Sequence, residues 1–574
     1  MRLRMDRASA FLRGGQDGVT DLAGVVELDA ALSADGARLD WSIANSSAAA
    51  LAVRSVGWIV PLDTAGSVRM FANGYQSWSP TGVVTLGVDR DPSRSEDAFE
   101  LYCGAMHADQ RPSLGDELRS EQVCALADDG RLVVVVGWIG GATHDGTLRL
   151  RTGDQGPELV IEAHLGGAVL AGGARRVLHP VSVAATERGG VPAALDAWAQ
   201  AVGTAAQART TAPYQVGWCS WYHYFSKITQ DALLKNLALA DDWPFDVFQL
   251  DDGFQPNIGD WLRTNDKFGA GIDDIAAAIA AAGRRPGLWI APFLAHPDSD
   301  VHRAHPDWIA RMPDGSAELP GGINEIWNGI VNVLDTSNPE VIAHLEGVAG
   351  SLVDAGYTYL KLDFTYAPSF DGVYHDPSMT PAERVRAGYD AIRRGAGDDA
   401  FILGCGVPLG AVVGVVDGNR IGPDVAPRWE VGTEEWAPSG YREQLPSTRN
   451  AWQSTLARSF MHRRLWLNDP DCLMLRTDET ELSADAANAW ARAIAASGGM
   501  ALVSDDLSLL GQDAHELLDE VIRVGRAVDE VAALGRPPVC DDLLEHRPPQ
   551  RLSSAVATLE GDPDAGTAQL TPRP

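Results

Sequence analysis

QVGWCSWYHYFSKITQDALLKNLALADDWPFDVFQLDDGF, residues 215–254, decides the fold. It opens on a short apolar run, QVGWCSWYH (215–223), and closes on another, VFQLDDGF (247–254). Between them lies TQDALLKNLALADD, whose texture is helical. Strand, helix and strand in this order imply two parallel neighbours in one sheet. The rhythm continues through RPGLWIAPFL (285–294), TYLKLDF (358–364), FILGCGVP (401–408), NRIGPDVAP (419–427), LWLNDPD (465–471) and GMALVSDD (499–506). Helix-like runs such as IDDIAAAIAAAG, PEVIAHLEGVAGSLVDAG, TPAERVRAGYDAIRRGAG, ADAANAWARAIAASG and DAHELLDEVIRVGRAV follow most of them. Eight such repeats over about 300 residues predict a (β/α)8 TIM barrel. Gly422, Pro423 and Pro427 interrupt the sixth run.

A chain of 574 residues exceeds what one core supports, so a companion domain is expected. Upstream, VVELDAAL, ARLDWSIAN, RLVVVVGWI, TLRLRTG and PELVIEAHL are short alternating segments parted by Gly, Asp, Ser and Pro. They predict an N-terminal β-sandwich over residues 1–205, with an Ala-rich helical connector at 192–212. The catalytic barrel is placed at 206–510. Residues 511–574 are read as the last barrel helix and a short C-terminal β or irregular segment. Beyond residue 535 Pro, Gly and Asp are frequent, and a few short strands followed by disorder are expected.

A formal net charge of -32 repels phosphate backbones and anionic headgroups, which argues against nucleic acid and membrane as partners. Cys103, Cys124, Cys219, Cys405, Cys472 and Cys540 show no metal-ligand spacing and are read as reduced thiols. The opening MRLRMDRASAFLRGG lacks the apolar stretch of a signal peptide, and no apolar run approaches the length of a membrane span; a cytoplasmic protein is expected.

A barrel of this type carries its chemistry where strands end. Those ends supply Trp218, Cys219 and Trp221, then Asp251 and Asp252, then Trp289, Lys361 and Asp363, Cys405, Arg420 and Asp424, and Asn468, Asp469 and Asp471. Carboxylates accept hydrogen bonds from hydroxyls and indoles stack on the apolar faces of sugar rings, so this set suits a sugar site. Retaining glycoside hydrolysis needs a nucleophilic carboxylate and a protonated one. Asp363 and Asp424 are the candidate pair. Lys361, two residues before Asp363 and on the same strand face, favours the carboxylate form or simply forms an ion pair with it. Asp424 stands among apolar and Pro residues, where desolvation keeps a carboxyl protonated; alternatively it caps a turn. Asp251 and Asp252 bind sugar hydroxyls or belong to an Asp-Gly turn. Asp469 and Asp471 organise a loop, and Cys219 and Cys405 read equally as small buried hydrophobes.

In order along the chain stand NGYQSWSP (73–80), GWCSWYHYF (217–225), FQLDDGFQ (248–255), GDW (259–261), KFGAG (267–271), GLWIAP (287–292), HPDSD (296–300), HPDW (305–308), LDTSNPEV (334–341) and YLKLDF (359–364). Together they resemble glycoside hydrolase family 36, the α-galactosidases and relatives of the melibiase-like clan, over residues 65–535. The resemblance implies a supersandwich domain ahead of the barrel, Asp363 as nucleophile and Asp424 as acid/base. It implies Asp251 and Asp252 as hydroxyl ligands, with Trp289, Lys361, Cys405 and Arg420 in the same subsite; Trp218, from the strand-end set, is a further substrate-binding candidate. The substrate would be an oligosaccharide or other α-glycoside, cleaved by double displacement with neither metal nor organic cofactor. Arg420 and Asp424 follow an RxxxD spacing like that of the neighbouring α-galactosidase family, where family 36 has an SDxTD-like run; Asp417 is the alternative acid/base. Ala291, Phe293 and Cys219 replace polar residues of the family pattern.

The other readings are a transglycosylase of the raffinose-synthase type, an α-N-acetylgalactosaminidase or α-glucosidase, and an inactive carbohydrate-binding protein. GCGVPLG (404–410) does not have the spacing of a dinucleotide fingerprint. Trp78 reaches the barrel mouth from its own subunit or from a neighbour in a homo-oligomer, or else packs in the sandwich core.

Overall fold

The computed structural model describes residues 1–14, 25–89, 117–432 and 442–573. Cys103 lies outside the described residues; Cys124, Cys219, Cys405, Cys472 and Cys540 are buried free thiols.

Among the described residues, the N-terminal part is two antiparallel sheets, one of six strands and one of eight. Strand Leu132–Trp138, LVVVVGW, shows why the second sheet takes its place. Val134, Val136 and Trp138 point into the sandwich with Trp41, Met70, Leu126 and Ile161. Val133 and Val135 point the other way, onto Leu195, Trp198 and Val202 of helix Val191–Ala206. A strand covered on both faces reads as an unbroken apolar run, and this one does. Gly137 lets the helix approach closely, since a Cβ there would meet the Trp198 indole at 2.3 Å.

The barrel strands are β1 (Val216–Cys219), β2 (Val247–Leu250), β3 (Arg285–Ile290), β4 (Tyr359–Leu362), β5 (Phe401–Gly404), β6 (Gly418–Arg420), β7 (Leu467–Asp469) and β8 (Ala501–Val503). They form one parallel sheet whose edge strands are β7 and β8. The Met500 amide donates to the Asn468 carbonyl at 3.0 Å, and Leu473 bridges Val503, so the ring nearly closes. All eight predicted strands are present and shorter than read. The sixth differs most: it stops at Arg420, because Gly422 and Pro423 cannot extend a ladder, and Asp424 therefore sits on a loop.

After β3 the chain makes a small antiparallel sheet of Leu294–Ala295, Pro320–Asn324 and Gly329–Val333. Asn328 and Gly329 turn its hairpin at φ 63° and 129°. The tail departs from expectation. Instead of ending in disorder it forms a four-stranded antiparallel sheet, Val539–Cys540, Arg551–Ser553, Ala557–Asp562 and Thr567–Pro572. Leu552 and Leu559 are its buried anchors, and Trp452 and Trp429 donate to the carbonyls of Pro549 and Pro563.

Candidate active site

The strand ends converge on a cleft of about 220 Å³. Asp251, Asp252, Lys361, Asp363 and Asp424 form its polar part, and Trp78, Trp221, Trp289, Trp327 and Phe364 are its aromatic walls. The lining residues come from the segment after β1, the ends of β2, β3 and β4, the loop after β6, the small sheet after β3 and the N-terminal domain.

On the floor, Lys361 Nζ donates to Asp251 Oδ2 at 2.9 Å. The ion pair is nearly dry, with side chains 7% and 3% exposed. Lys361 is thus paired across to β2, and not with Asp363 on its own strand as the spacing suggested; the charge of Lys361 still acts on Asp363 through space. Burial pulls the lysine pKa down, but Asp251 and its other neighbours leave it well above the usual value. Gln249 Nε2 and the Cys219 thiol also reach Asp251 Oδ2, at 2.6 and 3.5 Å. Asp252 accepts from Gln255 Nε2 at 2.6 Å and from Trp327 Nε1 at 2.8 Å. Burial nevertheless pushes it up to about 6, helped by the charges of Asp251 and Asp363.

Asp363 follows β4 directly. Trp289 Nε1 donates to its Oδ2 at 2.9 Å, and the Phe364 amide to its Oδ1 at 2.8 Å. Phe364 takes φ 53°, a left-handed conformation that costs a bulky residue on the order of 1–3 kcal/mol. Burial raises the Asp363 pKa, Lys361 opposes the rise and Asp424 adds to it.

Asp424 faces the cleft with 34% of its side chain exposed, while Arg420 beneath it is 1% exposed. Arg420 Nη2 donates to Asp424 Oδ1 at 2.8 Å. The same nitrogen donates to Asp471 Oδ2, which also accepts from Tyr222 Oη and from the Val425 amide. Burial raises the Asp424 pKa; Arg420 lowers it and Asp471 raises it again. Asp471 therefore takes up much of the positive charge that would otherwise hold Asp424 ionised.

Not every candidate lies in the cleft. Trp218 is fully buried in the barrel wall, stacked on Phe248 at 4.3 Å and donating to the Asp505 carbonyl at 2.8 Å. Its neighbour Trp221 is the indole that lines the cleft. Cys405 and Arg420 are buried behind the carboxylates rather than on the surface of the cleft. Asp417 precedes β6, at the opposite end of the strand from Asp424, bound to Arg209 at 2.8 Å and to Arg393 at 2.5 Å. It is a structural anchor. Trp78 comes from the chain's own N-terminal domain and meets Phe364 edge-on at 5.0 Å. Trp327 and Asn324 went unread; the Asn-Gly turn of IWNGIV was the signal for their hairpin.

Among the described residues no group of three or more His, Cys, Asp or Glu side chains is placed to hold a metal ion, and no helix is long and apolar enough to cross a membrane.

The Melibiase family profile matches residues 215–372. Alpha-galactosidase AgaA of Geobacillus stearothermophilus is 26% identical over 175 residues, 29% of this chain and 22% of that protein. The alpha-galactosidase of Escherichia coli is 28% identical over 101 residues, 16% of this chain and 14% of that protein. These matched stretches thus span about a fifth or less of the curated relatives. Among solved structures, the alpha-galactosidase TtGalA of Thermus thermophilus, in complex with p-nitrophenyl alpha-D-galactopyranoside, is similar at a TM-score of 0.66 and 26% identity, covering 92% of this chain and 98% of that one. The AgaA structure in complex with raffinose, at 12% identity and a TM-score of 0.59, shares the fold; the match covers 97% of this chain and 78% of that one.

Proposed function

The chain belongs to glycoside hydrolase family 36, and on that premise we propose that it is a retaining α-galactosidase acting on terminal α-D-galactosides of oligosaccharides. The observation that carries the reading is the unequal surroundings of two carboxyls in one cleft. Asp363 has two neutral donors and the nearby Lys361 charge, all favouring its anion. Asp424 has one charged donor, and that donor is shared with Asp471. Environments that separate two carboxyls in this way divide the roles of nucleophile and acid.

In the first step an Asp363 carboxylate oxygen bonds to the anomeric carbon as the bond to the leaving oxygen breaks. Asp424 gives its proton to that oxygen. In the second step Asp424 takes a proton from water, whose oxygen displaces Asp363 from the anomeric carbon, and the configuration is restored. Asp251, Asp252 and Lys361 meet the sugar hydroxyls, with Trp289 both a wall and a donor to the nucleophile. The Asp251–Lys361 pair enters the site already desolvated, so it needs little rearrangement when sugar replaces water.

Hydrolysis of p-nitrophenyl α-galactoside, α-N-acetylgalactosaminide and α-glucoside by the wild type and Asp363→Ala tests this. Turnover of the galactoside alone, abolished in the variant, is expected. Preference for another sugar, or an active variant, contradicts it.

A further inference from the structure

Arg458 is fully buried at the end of helix Thr448–Ala457, and no carboxylate meets it among the described residues. Its bonds run to uncharged oxygens. Nε donates to Asn73 Oδ1 at 3.0 Å. Nη1 donates to the carbonyls of Ser77 at 2.8 Å and Ile421 at 2.9 Å. Nη2 shares itself among the carbonyls of Gly74, Gln76 and Ser79 at 3.2–3.4 Å. Burying a cation without a counter-ion is costly, and only a ring of oriented dipoles makes it tolerable.

The ring is made almost entirely of one segment. Residues 73–79 are the NGYQSWS part of the N-terminal domain, and they carry Trp78 into the cleft. The remaining carbonyl belongs to Ile421, three residues before Asp424. The segment has further ties to the barrel: Gln453 Nε2 donates to the Thr81 carbonyl at 2.6 Å, and the Leu409 amide to the Tyr75 carbonyl at 3.1 Å. Within it, the Trp78 amide donates to Gln76 Oε1 at 2.8 Å. The Trp78 segment and the start of the Asp424 loop thus both close on the guanidinium of Arg458.

We propose that Arg458 is a positioning residue that holds Trp78 of the N-terminal domain against the cleft, making that domain a working part of the site. The inference rests on the reading of the cleft as an α-galactosidase site. A lysine at 458 keeps the charge but cannot span both the Asn73 and the Ile421 sides of the ring with one nitrogen. Loss of the guanidinium would therefore release the Trp78 segment, while Asp363 stays on its strand end and Asp424 keeps its bond to Arg420 although the Ile421 carbonyl loses its partner.

The test is a double-mutant cycle on p-nitrophenyl α-galactoside with wild type, Trp78→Ala, Arg458→Lys and the pair. If Arg458 acts through Trp78, Arg458→Lys costs at least about tenfold in kcat/KM in the wild-type background and less than about threefold once Trp78 is gone. Circular dichroism checks that each variant is folded. Asn73→Ala, which removes the Nε acceptor together with the Asn73 Nδ2 bond to the Glu121 carbonyl, runs the same cycle if Arg458→Lys does not fold, with a smaller loss and the same dependence on Trp78. Equal losses in both backgrounds, or a folded Arg458→Lys with wild-type kcat/KM, overturn the inference while the assignment of the cleft stands. A folded wild type that cleaves no α-galactoside overturns both.

Discussion

Arg420 touches Asp424 and Asp471 through one nitrogen, Nη2, so the two carboxylates compete for a single buried charge. On the proposed mechanism Asp424 is protonated when the leaving oxygen departs, so activity should fall as pH rises through its pKa. Asp471 raises that pKa both by its own charge and by occupying Arg420. Asp471→Asn should therefore move the alkaline limb of kcat/KM to lower pH. The acid limb, set by ionisation of Asp363, should move much less. A pH profile of both enzymes decides it; an unmoved alkaline limb contradicts the assignment.

Asp363→Asn is expected to abolish turnover, with kcat down by about 10⁴-fold or more on the scale of lost nucleophiles. It should also raise the melting temperature at pH 7. The folded-state pKa of Asp363 is raised, so the group withdraws stability as pH climbs past its unfolded value, and the neutral amide removes that penalty. Thermal unfolding of the two proteins at pH 7 and at pH 4 measures it, with the advantage shrinking at the lower pH.

Asp424→Ala should hurt galactosides with poor leaving groups far more than activated ones. In kcat/KM, raffinose cleavage is expected to fall by about 10³-fold and that of a dinitrophenyl galactoside by less than about tenfold, because an acidic phenol leaves without a proton, while kcat falls on the activated substrate too because the second step has lost its base. Azide should then accelerate the second substrate and yield an α-galactosyl azide, detectable by mass and NMR. Equal losses on both substrates would remove Asp424 from the acid role.

Two tryptophans three residues apart separate wall from site. Trp218→Phe should lower stability and leave KM unchanged, since its indole packs in the barrel wall on Phe248 and near Tyr224 and donates to the Asp505 carbonyl, away from the cleft. Trp221→Phe should raise KM with little change in stability. Urea denaturation and steady-state kinetics on both variants test the contrast.

Asp417→Ala breaks the partly buried contacts to Arg209 and Arg393 and should cost about 2 kcal/mol of stability with kcat/KM unchanged. A large kinetic loss in a folded variant would reopen Asp417 as a member of the active site.

The barrel was legible in the sequence because parallel strands buried on both faces are continuous apolar runs, from VFQL to ALV. Position at a strand end brings Asp363 and Asp251 to the cleft, and Asp424, nominated by the family resemblance, lines it as well. What sequence spacing hides is partnership across strands. Lys361 is two residues from Asp363 but its ammonium bonds to Asp251, since the β3–β4 register sets Lys361 beside Trp289 and turns it toward the floor. Trp218 misses the cleft because side chains alternate along β1: Cys219 meets Asp251, Trp218 packs on Phe248 in the wall, and Trp221, past the strand end, lines the cleft. Trp327 lies on an insertion with no barrel periodicity. The tail sheet was hidden by its Pro and Gly content, although Leu552 and Leu559 are its buried anchors.

The most direct test of the whole account is the configuration of the first-formed sugar. Proton NMR on the wild type acting on p-nitrophenyl α-D-galactoside should show α-galactose before mutarotation, as double displacement through Asp363 requires. First appearance of β-galactose would mean a single displacement by water, and Asp363 could not be the nucleophile.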